Sequence, residues 1–211
     1  MRKTIMKKFG IVFLLIGFYA ASSLAADCLP APDAQCAGMK LNWAKWQGKN
    51  LEEANFEGAS LEWADMSGAN LKGANFKGAN LKFARFRNTN LSQANLEDAD
   101  LGNTDLENAH LERANLRGAS MVKSDLRLAD LEQAVLEGAN LERADLSGAD
   151  LEGANLRTAR LVSARFGMAN LKQADLTGAI LNDAFLHGAL FKRAIWTDGR
   201  ICASGSMGKC K

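Results

Sequence analysis

Proline, tyrosine and histidine are scarce in this chain: two, one and two residues among 211. His110 and His187 stand alone, so no Ser-His-Asp set and no histidine-centred metal cluster can be assembled around them. The 19 glycines recur at spaced positions rather than in a linker or a phosphate-cradling loop. No enzymatic activity and no cofactor are therefore expected. An excess of one charge is missing too, with 26 Lys+Arg against 24 Asp+Glu and a formal net charge of +2. Four of those bases, Arg2, Lys3, Lys7 and Lys8, lie in the first eight residues, and without them the balance is −2. A near-neutral chain lacks the basic stripe that neutralises phosphates, which excludes a general nucleic-acid binder. The length suits one domain or one repeat array.

The N-terminus has the three-part layout of a secretory signal: basic to Lys8, apolar from Phe9 to Ala21, then Ser23-Leu24-Ala25. We expect residues 1–25 to be removed after Ala25, sending the chain to the periplasm or outside the cell. The apolar run is short for a membrane span, which needs about 20 residues, so no span is expected in the mature chain. A retained anchor is the alternative. Lipid attachment at Cys28 is disfavoured by Asp27, where a lipoprotein signal needs a small residue. Four cysteines suit an oxidising compartment. Cys28 and Cys36 lie at one end, Cys202 and Cys210 at the other. If the chain between them forms about eight stacked coils, the ends are ~38 Å apart, beyond the ~7 Å reach of a disulfide. The expected pairs are Cys28–Cys36 and Cys202–Cys210, with a zinc site as the rival.

What the chain does have is a period of five. From Leu41 to Trp196, 32 consecutive fifth residues are large and apolar. Two residues before each sits a small one: of 29 such positions from Ala54 to Ala194, 26 are alanine and the others are Thr89, Thr104 and Ser124. Between the two is usually Asn or Asp, as in Ala94-Asn95-Leu96. On a helix a step of five rotates the apolar position by about 140°, which scatters leucines around the cylinder and buries no face. In a short strand, residues two apart share a side, so alanine and leucine point inward together. The remaining two residues turn a corner, often with glycine. Four corners close a turn of 20 residues.

Tandem Ala–(Asp/Asn)–Leu–X–X units resemble the pentapeptide-repeat family over about 160 residues. The resemblance implies an all-β fold, a right-handed quadrilateral β-helix with leucine and phenylalanine stacked in its centre. We expect a cap over 26–40, the solenoid over 41–196 and a C-terminal cap or tail over 197–211.

A 20-residue turn lets the sequence be read as columns. Glu57, Lys77, Glu97, Arg117, Glu137 and Arg157 alternate in sign, as directly opposed strand neighbours should. Asn55, Asn75, Asn95 and Asn115 form a ladder able to hydrogen-bond along the stack. From Leu91 to Asp150 there are 13 acids and five bases. Asp105, Asp125 and Asp145 make one acidic column, and Glu112, Glu132 and Glu152 another beside Asp130 and Asp150. Like charges stacked this way are either solvated or offset by a basic partner or divalent cations. Trp43, Trp63 and Phe83 share an outward corner, and we expect residues 27–40 to fold over them. Left uncovered, they could grip a protein or a sugar. Ile180, Phe185, Leu190 and Ile195 ring the last coil at outward positions, covered by the tail or by a second copy of the chain. The expected function is a non-enzymatic scaffold or binding module docking an envelope protein through its charged faces. Two readings stand beside it: a DNA-mimicking topoisomerase binder, which the resemblance implies, and a cell-wall or carbohydrate binder using the aromatic column.

Overall fold

The computed structural model describes residues 28–211; the expected signal and its cleavage point lie outside them. A turn recurs every five residues, and parallel bridges join each polar residue of the repeat to its counterpart 20 residues on, from Gln35↔Asn55 to Asp175↔Ile195. Each coil therefore has four sides, and the chain is a β-solenoid.

Five peptide N–H groups per repeat need acceptors, and one repeat shows how each finds its own. Leu91 N–H donates to His110 O (2.7 Å) and Gln93 N–H to Glu112 O (2.9 Å) in the following coil. Asn95 N–H donates to Ala74 O of the preceding coil (2.9 Å), and Ala94 N–H closes the corner on Leu91 O (3.0 Å). The fifth, on the residue after leucine, bonds the Asn or Asp side chain two positions earlier: Ser92 to Asn90 Oδ1 at 3.0 Å, Glu97 to Asn95 at 3.2 Å, Glu152 to Asp150 at 2.9 Å. This is an Asx turn. It accounts for the preference for Asn and Asp at this position, which the pattern alone suggested only as outward-facing polarity. The residue two after leucine takes φ near +60°, as at Gly58 (+62°) and Gln93 (+62°), which glycine tolerates most easily.

Inside, the large apolar residues from Leu51 to Leu176 and the alanines beside them are buried. Phe56 stacks on Phe76 at 4.9 Å. The hydroxyls that replace alanine donate to backbone carbonyls: Thr89 to Met66 O and Thr104 to Leu81 O, both at 2.9 Å, and Ser124 to Met121 O at 2.7 Å. Among the described residues no buried side-chain polar atom lacks a partner.

Both ends are tied. Cys28 bonds Cys36 (Cα–Cα 5.4 Å) and Cys202 bonds Cys210 (4.9 Å). The N-terminal segment corrects one expectation. Gln35 and Lys40 already bridge to Asn55 and Ser60, so this stretch forms the first coil instead of folding over the outside. The cause is in register: Cys36 is buried in the inward slot five residues before Leu41. At the other end the tail runs antiparallel to the last coil, through Leu190↔Met207 and Ile195↔Ile201.

Asn95 serves both the turn and the side-chain ladder. Asn95→Ala should cost about 1–2 kcal/mol in urea unfolding, and Asn95→Asp, which keeps the turn acceptor, distinctly less.

Candidate functional site

Trp43, Trp63 and Phe83 occupy the left-handed corner position of three successive coils, at φ 64°, 61° and 59°. A bulky side chain there is strained. Stacking contributes the other way: Trp43 lies on Trp63 at 5.2 Å with 4° between planes, and Trp63 on Phe83 at 4.4 Å and 8°. They remain 64%, 46% and 37% exposed. The expected cover of residues 27–40 does not lie over them, because the described part of that segment is in the first coil. Beside the rings runs a cleft of ≈ 170 Å³, lined also by Ala44, Lys45, Gln47, Asp65 and Arg85. Partial burial opposes the charge on Asp65, but hydrogen bonds from Ser67 Oγ (2.7 Å) and N–H (3.1 Å), with Gln47 and Arg85, hold its carboxyl below the usual value. Arg85 Nη1 is 3.8 Å from Asp65 and mostly exposed. Lys45 makes no ion pair among the described residues.

The acidic coils divide into two unlike faces. In the column of Asp105, Asp125 and Asp145, arginines offset the charge. Arg87 pairs with Asp105 (3.1 Å) and with Glu107; Arg127 bridges Asp125 (2.6 Å) and Glu107 (2.9 Å); Arg165 lies 3.5 Å from Asp145. Partial burial works against ionised Asp125, but the Arg127 bonds outweigh it and lower its pKa. On the neighbouring face Glu112, Glu132, Glu152, Asp130 and Asp150 pair with no Lys or Arg among the described residues; His110 Nδ1 is 3.7 Å from Glu112. Burial, with Glu112, Asp150 and Glu132 beside it, raises the pKa of Asp130. His110, Glu112 and Asp130 bring ligand atoms within 4.8 Å of one another and could offer them to a divalent cation; Asp105, Glu107 and Asp125 do the same but are engaged by arginine. The first group corrects the expectation that His110 stands alone: the coil repeat sets Asp130 beside it.

The other columns behave as ladders. Asn75, Asn95 and Asn115 each donate to the asparagine one coil before, at 3.3, 3.2 and 3.1 Å. Asn70 and Asn90 form a second such ladder on Asn50, at 3.0 and 3.2 Å, which the sequence reading missed although its 20-residue spacing was there to find. Lys77–Glu97 (3.2 Å) and Arg117–Glu137 (2.8 Å) pair within the alternating column, whereas Arg157 turns to Asp175 (3.1 Å).

The apolar ring of the last coil is split. The tail pairs over Leu190 and Ile195, while Ile180 and Phe185 stay 45% and 52% exposed. Leu181 and Leu186 behind them are only half-buried. No helix among the described residues is long and apolar enough to cross a membrane.

A family model described as pentapeptide repeats matches residues 34–73, 54–93, 94–133, 124–161 and 169–195. Among solved structures the chain is similar to HetL, a pentapeptide repeat protein involved in heterocyst differentiation regulation from the cyanobacterium Nostoc sp. strain PCC 7120, at 32% identity over 81% of this chain and 90% of that one (TM-score 0.39). A pentapeptide repeat protein from the Arabidopsis thaliana thylakoid lumen is 28% identical over 70% and 72% of the two chains (TM-score 0.22). QnrB1, a plasmid-mediated fluoroquinolone resistance protein, is 22% identical over 73% and 89% (TM-score 0.35). No curated protein matches the chain.

Two sets of variants test these surfaces. Trp63→Gly should leave unfolding stability within about 1 kcal/mol, since two stacking contacts are lost while left-handed strain is relieved. At pH 7 Asp125→Asn should destabilise and Asp130→Asn should stabilise, each by about 0.5 kcal/mol. The signs follow from linkage. Asp125 contributes stability above the ordinary Asp pKa and loses it as pH falls through its lowered folded value. Ionised Asp130 costs stability above its raised value, and that cost disappears once both states are protonated. A urea series from pH 3 to 7 reads both.

Proposed function

Because this chain belongs to the pentapeptide-repeat family, we propose that it is an exported, non-enzymatic docking module that binds a protein of the cell envelope through its aromatic corner. The observation that carries this reading is the exposed Trp43–Trp63–Phe83 stack, kept in solvent at three strained backbone positions. Burying such rings against a partner is favourable and repays the strain. A convex prism with an apolar core suits docking, since catalysis needs convergent groups in a concave, partly dry site.

Export to the periplasm or beyond, with cleavage after Ala25, is part of the proposal. The two end disulfides support it, being bonds that persist in oxidising compartments. The carbohydrate reading draws less support, because a sugar stacks on ring faces and here the rings stack on each other. DNA mimicry draws less as well: arginines occupy the column of Asp105, Asp125 and Asp145, leaving one uncompensated acidic face.

A second observation favours self-association at the other end. Ile180 and Phe185 are exposed, and the N–H groups of Leu181 and Leu186 donate to no backbone carbonyl among the described residues. A second copy of the chain placed there would cover both.

The test is a photo-reactive residue at Gln47 or at Glu132 in the exported protein, cross-linked in its own cells. One dominant envelope protein captured from position 47, on a chain beginning at Ala26 and lacking free thiols, is expected. Capture from position 132 alone moves docking to the acidic face and removes the aromatic reading. Light scattering on the mature protein should show a dimer that Phe185→Glu disrupts, and a clean monomer at high concentration removes the dimer.

A further inference from the structure

The cleft beside the aromatic stack carries charge in a definite order. Lys45, Asp65 and Arg85 follow one another at one per coil, as the bridges Lys45↔Asp65 and Asp65↔Arg85 require. The middle carboxylate is committed, accepting from Ser67 Oγ at 2.7 Å and Ser67 N–H at 3.1 Å. Arg85 reaches it only at 3.8 Å, with its guanidinium mostly in water, and Lys45 has no ion pair among the described residues. The cleft thus carries two cations flanking one carboxylate that Ser67 already occupies: Lys45, without an ion pair among the described residues, and Arg85, which Asp65 holds only loosely. At one coil per ~4.8 Å they are about 10 Å apart. The opposite wall is apolar, made by the stacked rings of Trp43, Trp63 and Phe83.

Resting on the docking function proposed above, we propose that this cleft binds a proline-rich, polyproline-II segment of a protein partner with two carboxylates three residues apart. That helix rises about 3.1 Å per residue with three residues per turn, so side chains at i and i+3 lie on the same side ~9.3 Å apart. The spacing matches Lys45 and Arg85. A strand matches poorly, because its i and i+3 side chains point to opposite faces. Between the two acids, the apolar residues of the segment lie against the rings of Trp43, Trp63 and Phe83. Aromatic-lined grooves suit such segments, because the preformed helix loses little entropy on docking. The rigid stack supplies a wall that is already formed. Charge complementarity selects a protein segment with fixed spacing over a lipid surface, whose anionic headgroups carry no such register.

Three labelled peptides test this on the mature protein by fluorescence anisotropy: Ala-Asp-Pro-Pro-Asp-Ala, its Lys-Pro-Pro-Lys counterpart, and an Asp-Asp-Pro-Pro form with the acids adjacent. The spaced acidic peptide should saturate at micromolar to submillimolar concentration and bind about tenfold tighter than either control. Trp63→Gly, an exchange for the residue most at home at this corner, should weaken it about tenfold with unfolding unchanged. Lys45→Glu with Arg85→Glu should invert the preference between acidic and basic peptides. Equal binding of the three peptides overturns the proposal, as does no saturation by about 1 mM or indifference to Trp63→Gly. Phosphatidylglycerol vesicles that bind through the same residues while the peptides do not would replace it with a lipid surface. If the partner cross-linked from Gln47 is held at a segment without paired acids, this inference fails and the docking function stands. If the spaced peptide binds as expected but nothing is captured in cells, the docking function fails and the cleft's preference stands.

Discussion

Everything in this solenoid depends on giving each peptide N–H an acceptor within a unit of five residues. Three N–H groups reach neighbouring coils, one closes the corner, and one bonds the side chain just before the large apolar residue wherever that is Asn or Asp. Buried backbone groups left without partners are costly, so this scheme restricts each position. In the unit Ala–(Asp/Asn)–Leu–X–X the first residue must be small and inward, the second usually carries a short acceptor, and the third fills the core. The corner residue must accept a left-handed φ. The composition of the chain is the consequence of that division.

A second consequence concerns the surface. Stacked columns place each side chain beside those in the coils before and after, so charges are settled between residues 18 or 20 apart. Arg87 offsets Asp105 and Glu107 in this way and Arg127 offsets Glu107, while Arg127 also bonds Asp125 two residues before it. Three separate surfaces stand out against this pattern: the aromatic corner with Lys45 and Arg85, the face of Glu112, Asp130 and Glu152, and the open side of the last coil. Each of the two apolar sites lies toward one end of the prism. The docking site and the self-association site proposed above therefore lie at opposite ends of the solenoid.

The strain at Trp43, Trp63 and Phe83 has a different character from a core defect. Glycine fills many equivalent corners, so the aromatic residues are not required by the turn. They stack because successive coils are spaced close to the thickness of a ring. The same spacing places Lys45 and Arg85 about 10 Å apart, a distance that an extended segment can span. The binding proposed here would thus follow from the coil repeat, with the side chains choosing its sign.

The sequence alone determined the period, the inward and outward positions, the corners and the columns, because five-residue spacing admits one way of burying every leucine. It also located the aromatic corner, the acidic columns and the apolar ring, but not Lys45, Gln47 or Asp65 of the cleft. What tertiary structure decided was which of them remain available. The column of Asp105 and that of Glu112 read alike as strings of acids; only the paths of the Arg87, Arg127 and Arg165 side chains distinguish them. The ring of Ile180, Phe185, Leu190 and Ile195 read as uniform, and the antiparallel path of the tail covered half of it. The first coil absorbed the segment expected to shield the aromatic corner, since Cys36 fits the inward slot that a cap would have left empty. A repeat pattern specifies positions along the chain. Exposure and pairing depend on where long side chains and chain ends come to lie, and those have no period.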